Sequence, residues 1–131
     1  MREYQVQALF DSECLKAGLK HLAYPSIVAA GTNAAVLHYN RNDSLIQNGD
    51  MLLVDAGAEL KGYPADITRT FPVNGRFTRR QRDVYSIVLE TQKSCIERAR
   101  PGVVSADLHI RSMRVIAEGL KSLGILKGET D

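Results

Sequence analysis

The sequence predicts an α+β fold, an antiparallel sheet with helices packed on one face. Three observations predict it. A β-prone run from Met51 to Val73 carries a turn signal at Lys61-Gly62, which makes it a long hairpin. One stretch before it and two after it carry apolar residues at helical spacing. The helix, the short strands and the last two helices follow one another without a βαβ alternation, which is the order of a layered α+β domain.

The elements follow in order. Residues 3–21 read as a helix, with Val6, Leu9, Phe10, Cys14 and Ala17 on one face and Gly18 weakening its end. Pro25 to Ala30 reads as a short strand ended by the turn cluster Gly31-Thr32-Asn33. Ala35 to Tyr39 reads as a second short strand, carrying His38, and Asn40 to Asp50 as a polar loop. The hairpin stops at Asn74-Gly75. Thr78-Arg79-Arg80-Gln81 matches a capping box, so a helix starts there. Its stripe is Val84, Ile87, Val88, Thr91 and Cys95, and Pro101-Gly102 ends it. Ser105 is the expected N-cap of a third helix, with Leu108, Ser112, Val115, Ile116, Leu120 and Leu123 as its stripe, and Lys127 to Asp131 reads as a frayed end.

The 131 residues suffice for one domain with a core, and a 44% apolar, 24% charged composition is ordinary for a globular protein. A net charge of +2 is too mild to imply nucleic acid or an anionic membrane surface as partner. No apolar run approaches the ~20 residues of a membrane span. Met1-Arg2-Glu3-Tyr4-Gln5 lacks the apolar core of a secretory signal, which points to the cytoplasm, with an organelle left open. Cys14 and Cys95 fall in separate helices without a CxxC or a zinc-type cluster, and read as buried free thiols. No Gly-rich phosphate loop and no GxSxG occurs, and neither cysteine has a histidine near it in sequence.

Asp55 and Asp66 are the main functional candidates. Each interrupts an apolar segment of the hairpin. A buried lone carboxylate is costly and is usually paired or metal-bound. With the turn at Lys61-Gly62, Leu60 faces Tyr63, Asp55 lies opposite Thr68 and Asp66 opposite Gly57. Side chains alternate faces, so the two acids emerge together as diagonal neighbours, roughly 7–8 Å apart at Cα. A loop one residue longer or shorter would part them. Gly57, Thr68, Thr70, Met51 and Leu53 share their face. Leu52, Val54, Ala56, Ala58, Leu60, Tyr63, Ala65, Ile67 and Phe71 form a core-facing surface opposite, spoiled only by Arg69. The layout leaves the acid face uncovered, like half of a cleft. The pattern alone supports two readings, a shared cation or two acids that meet Arg and backbone N–H groups. His38 is likewise either a structural strand residue or a group that donates to an oxyanion or ligates metal. His21 and His109 read as solvent-side helix residues, and Tyr63 and Arg69 as packing and pairing residues of the back face.

The string Asp55-Ala56-Gly57-Ala58-Glu59, then Gly62-Tyr63, then Ala65 through Thr78 closely resembles the Xaa-Pro aminopeptidases (aminopeptidase P) and Xaa-Pro dipeptidases. So do Ala23-Tyr24-Pro25-Ser26 through Gly31, and Leu37-His38-Tyr39. The resemblance runs over nearly the whole chain. It implies half of a pita-bread fold and a site with two divalent ions, manganese in this subgroup, which suits oxygen ligands. By resemblance Asp55 is a terminal metal ligand, Asp66 bridges both ions, and His38 stabilises the tetrahedral intermediate. The implied chemistry is metal-activated hydroxide attack on the peptide carbonyl preceding proline, with a peptide bearing proline at its second position as substrate.

The family completes its site with one His and two Glu from the second half of the fold, and those motifs are absent here. Glu90, Glu97, Glu118 and Glu129 fall in helices or the tail. Residues 1–131 are therefore expected to be the first half of a catalytic domain, inactive alone. A homo-oligomer joining two copies in one site is an alternative source of ligands. The competing reading is a non-catalytic pita-bread module that binds peptide or protein, and a third is a structural fragment.

Overall fold

A computed structural model describes residues 1–128; the expected frayed end reaches past them into 129–131, which lie outside the described residues. The fold is α+β, and contacts cluster in two compact units, 1–76 and 77 onward. The first unit holds α1 (Glu3–Lys16), β1 (His21–Leu22), β2 (Ile27–Ala30), a 3-10 helix (Gly31–Ala35), β3 (Met51–Ala56), β4 (Ala58–Leu60), β5 (Tyr63–Pro64) and β6 (Ile67–Pro72). The second holds α2 (Arg79–Ile96) and α3 (Ser105–Ser122).

The hairpin register is the expected one: Leu60 faces Tyr63 and Asp55 faces Thr68. Lys61 and Gly62 have φ of 52° and 83°, the left-handed pair of a type I′ turn, whose twist matches that of the strands. The hairpin is not one ladder, however. It breaks at Gly57 into two three-stranded antiparallel sheets, ordered β1-β4-β5 and β2-β3-β6. The break has a steric cause. A Cβ on Gly57 would lie 1.8 Å from the Ala65 carbonyl oxygen, so glycine alone allows the two backbones this approach. The Gly57 carbonyl meanwhile accepts from Ala23 N–H at 2.9 Å. Glycine is needed here for backbone contact.

Three further expectations are corrected. The first helix ends at Lys16 because Gly18, at φ 82°, makes a Schellman motif, with its N–H on Leu15 O and the Leu19 N–H on Cys14 O. His21 consequently sits in β1, paired with Glu59, and is exposed. Ala35 to Tyr39 is not a strand. It is the end of the 3-10 helix and a turn, closed by Val36 N–H on Asn33 O and Tyr39 N–H on Val36 O. Val36 and Leu37 are exposed, so the β-prone composition of this run does not reflect burial. The back face of the hairpin is buried only near β3: Leu52 and Ala56 are buried, whereas Leu60, Ile67 and Phe71 are exposed, Tyr63 is 82% exposed and Arg69 meets its neighbour Thr68 O.

Both faces of the β2–β3 pair are covered. Val28, Ala30 and Leu52 pack with Val6 of α1, Ile46 and Val54 on one side. Ile27, Ala29 and Tyr39 pack with Ala34 and Leu53 on the other. This second cluster lies on the acid face, so that face is covered near Leu53 and open only near Asp55. Cys14 is a buried free thiol as expected, and Cys95 is a half-buried one.

In the second unit the Thr78 capping box is present, with Gln81 N–H on Thr78 Oγ1 at 3.2 Å and Thr78 N–H on Gln81 Oε1 at 2.8 Å. α2 stops at Ile96, short of Pro101-Gly102, and α3 begins at Ser105 with Val104 as its N-cap. The predicted stripes meet in part: Cys95 Sγ lies 3.6 Å from Leu108 O, but Val88 and Leu123 are exposed. Gly119 and the Arg111–Ser94 pair, outside the predicted stripes, also join the helices: a Cβ on Gly119 would lie 2.6 Å from Ile87, and Arg111 Nε donates to Ser94 Oγ at 2.7 Å. His109 is exposed. Among the described residues no helix is long and apolar enough to cross a membrane.

Candidate functional site

β2 lies antiparallel to β3 with Ile27 facing Asp55, so the chain just before Ile27 passes the acid end of the sheet. That is where Tyr24 sits. Its hydroxyl lies 2.6 Å from Asp55 Oδ1 and 3.1 Å from Asp66 Oδ1. A phenol carries one proton, so it donates to one carboxylate at a time. Burial, and then the hydrogen bonds and negative charge of Asp55 and Asp66, raise the Tyr24 phenol well above its ordinary value of 10.0. At neutral pH it is therefore a donor to the pair. Asp55 is half-buried, at the end of β3, and Asp66 is exposed, between β5 and β6.

The two acids share a cavity of about 300 Å³ with Tyr24, Pro25, Ile27, His38 and Asn40. The three residues singled out in the sequence are thus brought together, although a turn and not a strand carries His38. His38 has φ 55°, a left-handed conformation that costs a non-glycine residue about 1–2 kcal/mol. Such strain persists where surrounding contacts impose it. Its ring is exposed and takes no hydrogen bond from another described residue.

Sequence reasoning gave Tyr24 no role. Its signal was indirect: the pairing of β2 with β3, on which its position depends, is long-range and leaves no local pattern. Asn40 lay in a segment read only as polar loop.

The donor set suits a hard divalent ion, which prefers carboxylate oxygen. It is also partial. Among the described residues no three His, Cys, Asp or Glu side chains come together to hold a metal. Two carboxylates converge on one hydroxyl and share a small open cavity with a histidine, the kind of arrangement a metal-dependent hydrolase uses.

Comparison with known proteins agrees with that class. The model of metallopeptidase family M24 matches residues 1–128, and the chain belongs to this family. Divalent metal ions are accordingly its class of cofactor.

Its relatives are narrower. The chain is 43% identical to the Xaa-Pro aminopeptidase of Escherichia coli (strain K12) over 131 residues, which is all of this chain and 30% of that protein. It is 45% identical to Xaa-Pro aminopeptidase 3 of Dictyostelium discoideum over 126 residues, 96% of this chain and 24% of that one. The structure of zinc-substituted E. coli aminopeptidase P in complex with product superposes with a TM-score of 0.95 at 43% identity, covering 98% of this chain and 29% of that one. The chain thus spans less than a third of the relatives it matches.

Proposed function

We propose that residues 1–131 are the first half of the catalytic domain of a dinuclear Xaa-Pro aminopeptidase, and that Asp55, Asp66 and His38 belong to its site. The observation that carries this reading is the convergence of Asp55 and Asp66 on one Tyr24 hydroxyl beside His38, in a chain of family M24.

In this reading Asp55 and Asp66 would hold two divalent ions, Asp55 as a terminal and Asp66 as a shared ligand, with manganese as the metal. When bound, the ions supply Lewis-acid polarisation and a water acidic enough to act as nucleophile near neutral pH. The chain's own residues do the rest. Tyr24 donates its one proton to a lone pair of either carboxylate and helps fix their orientation, as groups behind metal ligands do. His38 donates a hydrogen bond to the oxygen that gains charge when the carbonyl before proline becomes tetrahedral, where one donor is worth about 100-fold to 1000-fold in rate. Pro25 and Ile27 provide an apolar wall for the substrate. The remaining ligands come from chain outside these residues, or from a second copy in a homo-oligomer.

The test is substrate choice by the natural full-length protein. Hydrolysis of Xaa-Pro-Xaa peptides, lost with a chelator and restored by manganese, with Xaa-Ala-Xaa left intact, is the expected result. Equal cleavage of both peptides, or cleavage that survives chelation, would refute it.

A further inference from the structure

Glu3 is completely buried on α1, yet it is a carboxylate and has no part in the site described above. Its two oxygens are surrounded by donors. Oε1 accepts from Ala30 N–H at 2.8 Å and Asn33 Nδ2 at 3.0 Å, and Oε2 from the Tyr39 hydroxyl at 2.8 Å and Ser44 N–H at 2.9 Å. The Glu3 N–H in turn donates to Ser44 O at 3.1 Å.

All four donors to the carboxylate come from one segment, residues 30–44. Ala30 and Ser44 are its two ends, Asn33 lies in its 3-10 turn and Tyr39 follows His38 directly. Asn33 ties the group together: its NH2 also lies 3.1 Å from the Tyr39 hydroxyl and 3.0 Å from Ser44 Oγ, and shares its two protons among these and Glu3. Asn42 anchors the same segment to β2, accepting from Val28 N–H and donating to Ser26 O. The Tyr39 ring packs on Ile27, which lines the Asp55–Asp66 cavity. The His38 ring, by contrast, has no hydrogen-bond partner among the described residues, and its backbone is left-handed. Its position is therefore set by the segment that carries it.

We propose that Glu3 is a positioning residue for the reaction: its buried carboxylate gathers residues 30–44 around itself and so holds His38 at the Asp55–Asp66 cavity. A stability role alone would need no such convergence on one segment, since an apolar residue at this place on α1 would continue the Val6–Cys14 stripe. A charged acceptor ringed by donors fixes angle as well as distance. Burial opposes the charge, but the hydrogen bonds from Asn33, Ala30, Ser44 and Tyr39 outweigh it and keep the carboxylate ionised. The inference rests on the proposed function only through the role given to His38.

The experiment is a double-mutant cycle in the natural full-length protein, read by hydrolysis of an Xaa-Pro peptide. Glu3→Gln puts an NH2 group against one pair of donors. It should lower kcat about 10-fold to 100-fold, with KM and metal content little changed, as misplacement of a reacting group does. In a His38→Ala background the same substitution should lower kcat no further, because both changes remove one function. Tyr39→Phe removes one donor to the carboxylate, together with the hydroxyl's contacts to Asn33 and Ser44, and gives the same cycle with about a 3-fold to 10-fold fall, and it serves if Glu3→Gln does not fold. Equal falls in both backgrounds, or an unchanged kcat, would overturn the proposal. If the wild-type protein hydrolyses no Xaa-Pro bond, the proposed function fails. The His38 ring signal in histidine-labelled protein then decides: a shift in Glu3→Gln supports positioning and an unmoved signal refutes it.

Discussion

The unit of residues 1–76 and the helix pair that follows it use different means to hold their shape. The first is keyed by polar groups reaching far along the sequence: Glu3 to residues 30–44, Asn42 to β2, Tyr24 to Asp55 and Asp66. The second depends on two neighbouring helices packed along their lengths, with a local capping box at the start of α2. Apolar packing tolerates adjustment, because hydrophobic attraction has no direction. Buried hydrogen bonds to a charge do not, because each donor must be in place. The unit that carries the candidate site is the one built to be exact. Changes there should cost function as well as stability, and changes in the helix pair should cost stability alone.

Glycine tests the contrast most strongly. Gly57→Ala drives a Cβ into the Ala65 carbonyl, which as backbone cannot turn aside. It should cost about 3 kcal/mol and, by moving the chain just before Asp66, abolish turnover even in the fraction that folds. Chemical denaturation and residual activity per folded molecule measure the two effects. Glu3→Gln comes next, at about 2 kcal/mol for weakened bonds to a charge. Its effect should depend on pH. The Glu3 carboxyl titrates below its ordinary 4.5 in the folded state, so the wild-type advantage is full above 4.5 and is lost as pH falls through the lower folded value. Melting curves of both proteins from neutral to acid pH would show the gap closing; a constant gap would mean that charge is irrelevant to the hub.

In the helix pair, Gly119→Ala meets only the Ile87 side chain. Helix propensity returns about 1 kcal/mol of the clash, leaving a net loss of about 1–2 kcal/mol. Thr78→Ala removes a cap and should cost about 1 kcal/mol. Neither should alter kcat once the protein is folded. A large kcat loss from either would break the division between the units.

What was legible in the sequence follows the same line. Local rules served the helix pair well: Thr78 and Gln81 marked the cap, and the stripe spacing marked most of the partner faces, though Val88 and Leu123 are exposed and α3 is capped one residue before Ser105. They also sufficed for the hairpin, because the Lys61-Gly62 turn sets the register and parity then puts Asp55 and Asp66 on one face. Long-range polar contacts were illegible. Ala35 to Tyr39 has β-prone composition, but Asn33 and Tyr39 bond to Glu3 and curl the segment into a turn. Glu3 itself left a trace, a charge in phase with Val6, Phe10 and Cys14 on the buried side of α1. Gly57 was placed on the acid face, but only its backbone contact at Ala65 explains the split into two sheets. Tyr24 needed the β2–β3 pairing, which no turn specifies.

The central claim is that Asp55 and Asp66 are the metal-binding contribution of this chain to a larger site. It is tested most directly by the metal content of the natural full-length protein, wild-type and Asp66→Ala, together with Xaa-Pro hydrolysis by the same samples. Two divalent ions per wild-type chain, with both metal and turnover lost in the folded variant, is the predicted result. A folded Asp66→Ala protein that keeps both ions and its turnover would contradict the account.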